Sequence, residues 1–364
     1  MLRALPLARW HRAHGARMVP FAGWEMPVQY EGIIKEHRAV RERAGLFDIS
    51  HMGEIIVRGE NAAGFLNYLT ANDIGLLEPG KAQYSMFLTE RGGVVDDIIV
   101  YQTERDTFLV IVNAANTDKV MRYLETHRRP GVDIRNVSDS FALFSLAGPL
   151  TFDIASRLFD QPVELAPFRH TMLTFGETRI TVAGTGYTGE RRSLEFLVPV
   201  EHAETFIENL FAAGAGELAL CGLGARDSLR IEACLPLYGH ELSETMTPFE
   251  SDLAWVVKRN KGDFIARAAL ATPEASHPSH RIGYFIVRGT RQIPRQGARV
   301  FFDDRAVGEV TSGTFSPLLD AAVCMAFVEV SATHPGRHVV IDVRGNEVRA
   351  EAVEKPFLAH AARS

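Results

Sequence analysis

The run "GGVVDDIIVY", Gly92 to Tyr101, sets two carboxylates, Asp96 and Asp97, inside what otherwise reads as a buried strand. Burying an unpaired carboxylate costs several kcal/mol, so a strand interior holds one when it is paired, hydrogen-bonded or chemically active. Side chains alternate along a strand, which puts Asp96 on one face with Ile98 and Val100, and Asp97 on the other with Ile99 and Tyr101. The two acids therefore cannot share one job. The plain alternative is a frayed strand start after Gly92-Gly93, with both acids solvated or salt-bridged.

In "CGLGARDSLRIEACLPLYG", Arg226 and Arg230 fall one helical turn apart, where like charges repel unless an anion lies between or over them. Asp227 can serve as that anion, or an arginine can be offered to a ligand carboxylate, which its planar fork fits. Tyr84, Tyr101, Tyr187, Tyr238 and Trp255 adjoin these polar positions. Aromatic residues are commonly core, but with Asp97, Glu195 and Arg226 they would suit a flat heteroaromatic ligand with an acidic tail. His51, in "DISHMGE", reads as a base, a ligand or a satisfied structural histidine.

"GTGYTGE" holds Gly184, Gly186 and Gly189 in GxGxxG spacing after the strand "RITVA", with Glu208 about 20 residues on. A dinucleotide site needs a helix after the glycines to aim its N-terminus at the pyrophosphate. "RRSLEFLVPV" alternates and contains Pro199, so a strand follows instead and the glycines make a tight turn. A dehydrogenase is thereby set aside.

These residues need positioning elements. "EGIIKEHRAVRERAG" reads as an amphipathic helix with Ile33, Ile34, Ala39 and Val40 on its apolar face and Gly45 as its stop. From "GEIIVRG" to "NTDKVMRYLETH" the order is β-α-β-β-β-α. A second such run starts near Val137 and ends with the helix "VEHAETFIENLFAAG". Beyond a linker at "SHPSH" come "RIGYFIVRG", "ARVFFDD", "AVGEVTSG", "AVCMAFVEV" and "RHVVIDVRG", which lack helical period and predict an all-β domain. Two α+β modules with antiparallel sheets and a C-terminal barrel or roll follow.

Bulk properties agree. The 364 residues suggest two or three domains. A net charge of -6 argues against a nucleic-acid binder. Three scattered cysteines, Cys221, Cys234 and Cys324, fit neither a disulfide framework nor a zinc site, and point to a reducing cytoplasm. Arg3, Arg9, Arg12 and Arg17 precede the first acidic residue, Glu25, as in a transit peptide, yet that segment lacks serine. These arginines read as a solvated helix face or as a dock for an acidic partner. No apolar run is long enough to span a membrane.

Read in order, "RMVPFAGWEMPVQY", "GLFDISHMGE", "GKAQYSMFL", "GGVVDDIIVY", "GTGYTGE", "GLGARDSLRIEA", "WVVKRNKGDFI" and "GEVTSGTFSPLL" resemble the T-protein family of the glycine cleavage system, tetrahydrofolate-dependent aminomethyltransferases. The likeness runs nearly end to end. It implies an α+β fold of three domains in a cloverleaf, with two ferredoxin-like modules and a C-terminal β-barrel around a central folate funnel. Because the first two domains of the family interleave, the implied partition is 1–52 with 137–225, then 53–136 with 226–275, then 276–364. The implied reaction moves the carbon of an aminomethyl group from the dihydrolipoyl arm of H-protein to tetrahydrofolate, giving 5,10-methylene-tetrahydrofolate and ammonia. Asp97 takes the place of the family carboxylate beside the reacting nitrogens, where it would stabilise developing positive charge, and Asp96 becomes its structural companion. Glu195 would meet the pterin N–H edge and Arg226 matches the folate-site arginine. Tyr84, Tyr101, Asn113, Tyr187, Tyr238 and Trp255 correspond to folate-pocket positions. The reaction requires no metal, because the folate supplies the nucleophile.

One departure bears on Glu195. Relatives usually read GYTGEDG(Y/F)E, whereas this chain reads "GYTGERRSLE", with Arg191 and Arg192 in the turn and one residue added. A one-residue slip would turn Glu195 to the wrong face unless a bulge absorbs it. The two arginines are also candidates to touch an acidic partner. Two rival readings keep the folate: a demethylase fed by a methylated small molecule, and a noncatalytic folate-binding protein, whose K-G-C-Y-type motif is absent here.

Overall fold

The computed structural model describes residues 2–363. The chain divides into two compact units. The first is built from residues up to Asn67, Asp73–Ser85 and Ile98–Asp227; the second from Tyr68–Asn72, Met86–Asp97 and the chain from Ser228 onward.

The first unit opens with a small three-stranded sheet, ordered β1-β3-β2, of β1 (Arg3–Ala4), β2 (Arg17–Phe21) and β3 (Trp24–Gln29), with α1 (Ala8–Ala13) between the first two strands. Arg9 and Arg12 lie on the exposed side of α1, while Trp10 and His11 are buried. The helix read from "EGIIKEHRAV" is α2 (Ile33–Glu42), but its inward face differs from the expected one. Ile33 and Ile34 are exposed, and Glu36 and His37 are buried beside Ala39 and Val40. The reason lies in backbone donors. One Glu36 oxygen accepts from the amides of Tyr30, Glu31 and Gly32 at 2.6, 3.0 and 3.1 Å, and the other from Gly222 at 2.9 Å, so the carboxylate serves helix-terminal N–H groups that would otherwise lack partners. Nor does Gly45 follow as a stop, because it lies within β4 (Ala44–Asp48).

A five-stranded sheet follows, ordered β6-β7-β8-β5-β9. Its strands are β5 (Gly53–Arg58), β6 (Lys81–Leu88), β7 (Val94–Glu104), β8 (Thr107–Val112) and β9 (Asp133–Asn136), with α3 (Ala62–Leu69) and α4 (Thr117–Thr126) in the connections. β9 is too short for its alternation to be read from sequence. The distal residues of β6 and β7, including Asp96 and Asp97, fall in the second unit.

The six-stranded sheet is ordered β11-β12-β13-β10-β4-β14. Here β10 is Phe141–Ala147, β11 His170–Phe175, β12 Thr178–Ala183, β13 Ser193–Pro199 and β14 Leu218–Leu220. α5 (Thr151–Phe159) and α6 (Ala203–Ala213) cover one face, where Phe144, Phe196 and Phe206 sit in a core with Leu46, Leu146, Ile154 and Val198. Each such phenyl ring removed from water is worth roughly 1.5–3 kcal/mol. Further along, α7 (Leu223–Glu232) starts in the first unit and ends in the second.

The second unit is dominated by a closed barrel of β15 (His280–Val287), β16 (Arg299–Phe302), β17 (Arg305–Ser316), β18 (Ala321–Glu329), β19 (His338–Val343) and β20 (Asn346–Val353), paired in the order β15-β18-β17-β16-β19-β20. Phe285, Val300, Val310, Cys324, Val328, Ile341 and Ala350 fill it. The fold is thus mixed α+β with a C-terminal closed barrel, as the patterning predicts. Among the described residues no helix is long and apolar enough to cross a membrane.

Candidate functional site

Glu195 lies on β13 between Leu194 and Phe196, both of which point into the helix-covered core. Alternation therefore sends Glu195 to the other face of its sheet. β13 pairs with β10 through an unbroken register from Phe141↔Pro199 to Ala147↔Ser193, with no bulge. The altered "GERRS" segment is accommodated before the strand begins, and Glu195 is the residue of that stretch whose side chain leaves the core.

On that face Glu195 meets Tyr101 from β7. Thr185 Oγ1 donates to Glu195 Oε2 at 2.5 Å, and the Tyr101 hydroxyl lies 3.0 Å from Thr185 Oγ1 and 3.5 Å from the same carboxylate oxygen. A narrow cleft here is lined by Tyr101, Leu109, Ile111, Leu143, Thr181 and Leu197 along with Glu195. Burial raises the Glu195 pKa above its ordinary value, against the pull of the Thr185 hydrogen bond and the Arg226 charge. Burial likewise raises the Tyr101 phenol, so it stays a neutral hydroxyl.

Arg226, near the start of α7, supplies that charge. Its guanidinium stacks over the Tyr187 ring at 4.7 Å, and its Nη1 is buried with no hydrogen-bond partner. His51 is 4% exposed, edge-on to Phe21 at 5.9 Å, and its Nδ1 also lacks a partner. Burial, then the nearby Arg226 charge, push its pKa down to about 3 although Asp48 opposes the shift, so the imidazole is neutral. The ring is therefore enclosed and uncharged beside Arg226.

The turn carrying Tyr187 is pinned from α2. Arg41 Nη1 donates to the Thr188 carbonyl at 2.9 Å and pairs with Glu190 at 2.6 Å. Gly186 has no room for a side chain, since a Cβ there would meet Ser193 Oγ at 2.0 Å. The GxGxxG pattern is therefore a close-packed loop between β12 and β13, and a strand follows it, as expected. Arg192 is held by its carbonyl, which accepts from the Gly148 amide at 3.0 Å, and by Nη1, which donates to the Pro149 carbonyl at 3.0 Å; Arg191 is exposed.

The other candidates stand as follows. In the first unit Tyr84 is half-buried on β6, and half-buried Asn113 immediately precedes the short turn Ala114–Asn116. In the second unit Asp96 is fully buried and Asp97 half-buried, the asymmetry that the strand pleat predicts. The turn before them is forced: Gly92 has φ +87°, and a Cβ on Gly93 would lie 1.8 Å from the Glu244 carbonyl oxygen. Tyr238 is half-buried and bridges to Leu242, while Trp255 is 55% exposed in the turn Ala254–Val256. The structure thus gathers Tyr101, Tyr187, Glu195 and Arg226 within the first unit. Thr185 joins them there, and no sequence signal singled it out, because its role comes from a residue ten positions away.

Known proteins resemble this chain throughout. Residues 7–261 match the GCVT N-terminal domain, and residues 280–358 the glycine cleavage T-protein C-terminal barrel domain. Aminomethyltransferase from Desulforamulus reducens is 42% identical, with 98% of each chain covered. The same-named protein of Geobacillus kaustophilus is 43% identical, over 99% of this chain and all of its own. The crystal structure of glycine cleavage system aminomethyltransferase T from Bartonella henselae superposes with a TM-score of 0.91 at 33% identity, covering 98% of both chains. The chain belongs to the glycine cleavage T-protein family, and it is an aminomethyltransferase.

Proposed function

We propose that this enzyme takes the one-carbon unit from aminomethyl-dihydrolipoyl H-protein and passes it to tetrahydrofolate, yielding 5,10-methylene-tetrahydrofolate, ammonia and dihydrolipoyl H-protein. The observation that carries the folate assignment is a carboxylate, Glu195, set in the same unit as a guanidinium, Arg226, that has a buried nitrogen without a partner. Glu195 accepts from Thr185 at Oε2, and Arg226 Nη1 is buried with no hydrogen-bond partner. A reduced pterin, with adjacent N–H donors and ring acceptors, suits that donor and acceptor set, and the Tyr101 and Tyr187 rings offer apolar faces beside it. Bound tetrahydrofolate would supply the nucleophilic nitrogen.

The chain's own residues do the rest. Glu195 and Arg226 hold and orient the ligand, Tyr84, Asn113, Tyr238 and Trp255 take the folate-binding roles that the family likeness implies, and Asp97 stabilises positive charge as it develops on the transferred carbon. Asp96, fully buried, supports the strand. The three-part division into 1–52 with 137–225, 53–136 with 226–275, and 276–364 belongs to the same reading. So does a cytoplasmic setting, which the three free, buried cysteines support.

The test is a single turnover with tetrahydrofolate and aminomethyl-loaded H-protein, beside a control lacking H-protein. Stoichiometric methylene-tetrahydrofolate and ammonia only with loaded H-protein is the expected outcome. Tight folate binding without product would overturn the donor assignment in favour of a methylated small molecule or a noncatalytic role.

A further inference from the structure

Glu195 and Arg226 attract one another, each shifting the other's titration, yet among the described residues no ion pair joins them within 4.0 Å. Opposite charges in poorly hydrated surroundings attract strongly and are ordinarily drawn into contact. Two restraints oppose that here. Arg226 is laid over the Tyr187 ring, and Glu195 is tethered at Oε2 by Thr185, whose hydroxyl is itself 3.0 Å from that of Tyr101. Thr185 is 6% exposed and Tyr101 3%, so neither hydroxyl exchanges its partner easily for water.

We infer that Thr185 is a positioning residue for folate binding: its hydroxyl holds Glu195 away from Arg226, so that the carboxylate and the guanidinium both remain open to the ligand. The inference rests on the folate reading above and adds a residue that touches no ligand. Without the tether, Glu195 closes onto Arg226, and an incoming pterin must break that pair before it can bind. Ligand affinity falls, and a residue that restores the hydroxyl recovers it.

Valine is nearly the same shape as threonine and lacks the hydroxyl, and serine restores it. The experiment measures the dissociation constant of 5-formyl-tetrahydrofolate, an unreactive analogue, by calorimetry for wild type, Thr185→Val and Thr185→Ser, with thermal unfolding alongside. Expected are a Kd raised about tenfold or more in Thr185→Val, near wild type in Thr185→Ser, and little change in Tm; a tenfold change corresponds to about 1.4 kcal/mol. A crystal structure of Thr185→Val should show Glu195 in contact with Arg226. Equal affinity of wild type and Thr185→Val, or equal losses in both variants, would overturn the inference while leaving the folate reading intact. Failure of the wild-type protein to bind would remove the folate reading itself, and the inference with it.

Discussion

Arg226 and Arg230 stand one turn apart on α7 and meet opposite fates. Arg230 is 1% exposed; it pairs with Glu241 at 2.9 Å and donates to Ser312 Oγ at 2.7 Å and the Leu235 carbonyl at 3.2 Å. Removing such a partner strands a buried carboxylate, so Arg230→Ala should lower stability by about 3–5 kcal/mol in urea titrations. Arg226→Lys should leave stability nearly unchanged and weaken folate binding about tenfold, because an ammonium cannot replace the planar fork. The acid pair divides in a similar way. Asp97→Asn should reduce single-turnover transfer roughly 10²–10³-fold with an unchanged melting curve, whereas Asp96→Asn should chiefly lower Tm. Equal activity losses at equal stability would refute that division. At this scale the sequence exposes residue types and local spacing: the alternation that separates Asp96 from Asp97 could be read from ten residues. It could not reveal which arginine is satisfied, since Glu241 and Ser312 lie 11 and 82 positions from Arg230.

Among the elements, β5 carries an unusual titration. Glu54 is 1% exposed with Oε2 unpartnered, and burial raises its pKa to about 8 from an ordinary 4.5. Between those values the folded chain keeps a proton that the unfolded chain has released, so this group makes stability fall as pH rises from about 4.5 to about 8. Glu54→Gln should remove that slope. The variant should match wild type near pH 4 and be more stable by roughly 2–4 kcal/mol above pH 8, a difference that denaturant titrations at several pH values would resolve. Legibility also varied with the element. Strands built on β-branched apolar runs, such as β7 and β8, are plain in the sequence. α2 misleads because its buried face is chosen by Glu36 and the amides it serves, an arrangement that hydrophobic period does not encode. The three-residue β14 is too short to show any period.

For the whole molecule, Cys221, Cys234 and Cys324 report on global opening. They are 1%, 7% and 0% exposed, and burial pushes the thiols of Cys234 and Cys324 up to about 12 and that of Cys221 well above its usual value. A thiol-labelling reagent should modify none of them in the native protein at neutral pH, and all three in denaturant. Fast native labelling of any one would show local opening around that cysteine. The order of modules and the terminal β character were legible at this scale because they depend on the sequence of elements alone. The pairing that joins them was not.

That pairing has a consequence for synthesis. The barrel is closed by β15 against β20, the first and last of its strands, from Tyr284↔Val353 to Val287↔Ala350. A nascent chain emerges from the ribosome N-terminus first, so β15 has one hydrogen-bonding edge open until β20 arrives, and an open apolar edge is a template for pairing with other chains. Translation arrested between the two strands would therefore leave a product prone to associate, and chaperone demand should concentrate in the interval before Val353 appears.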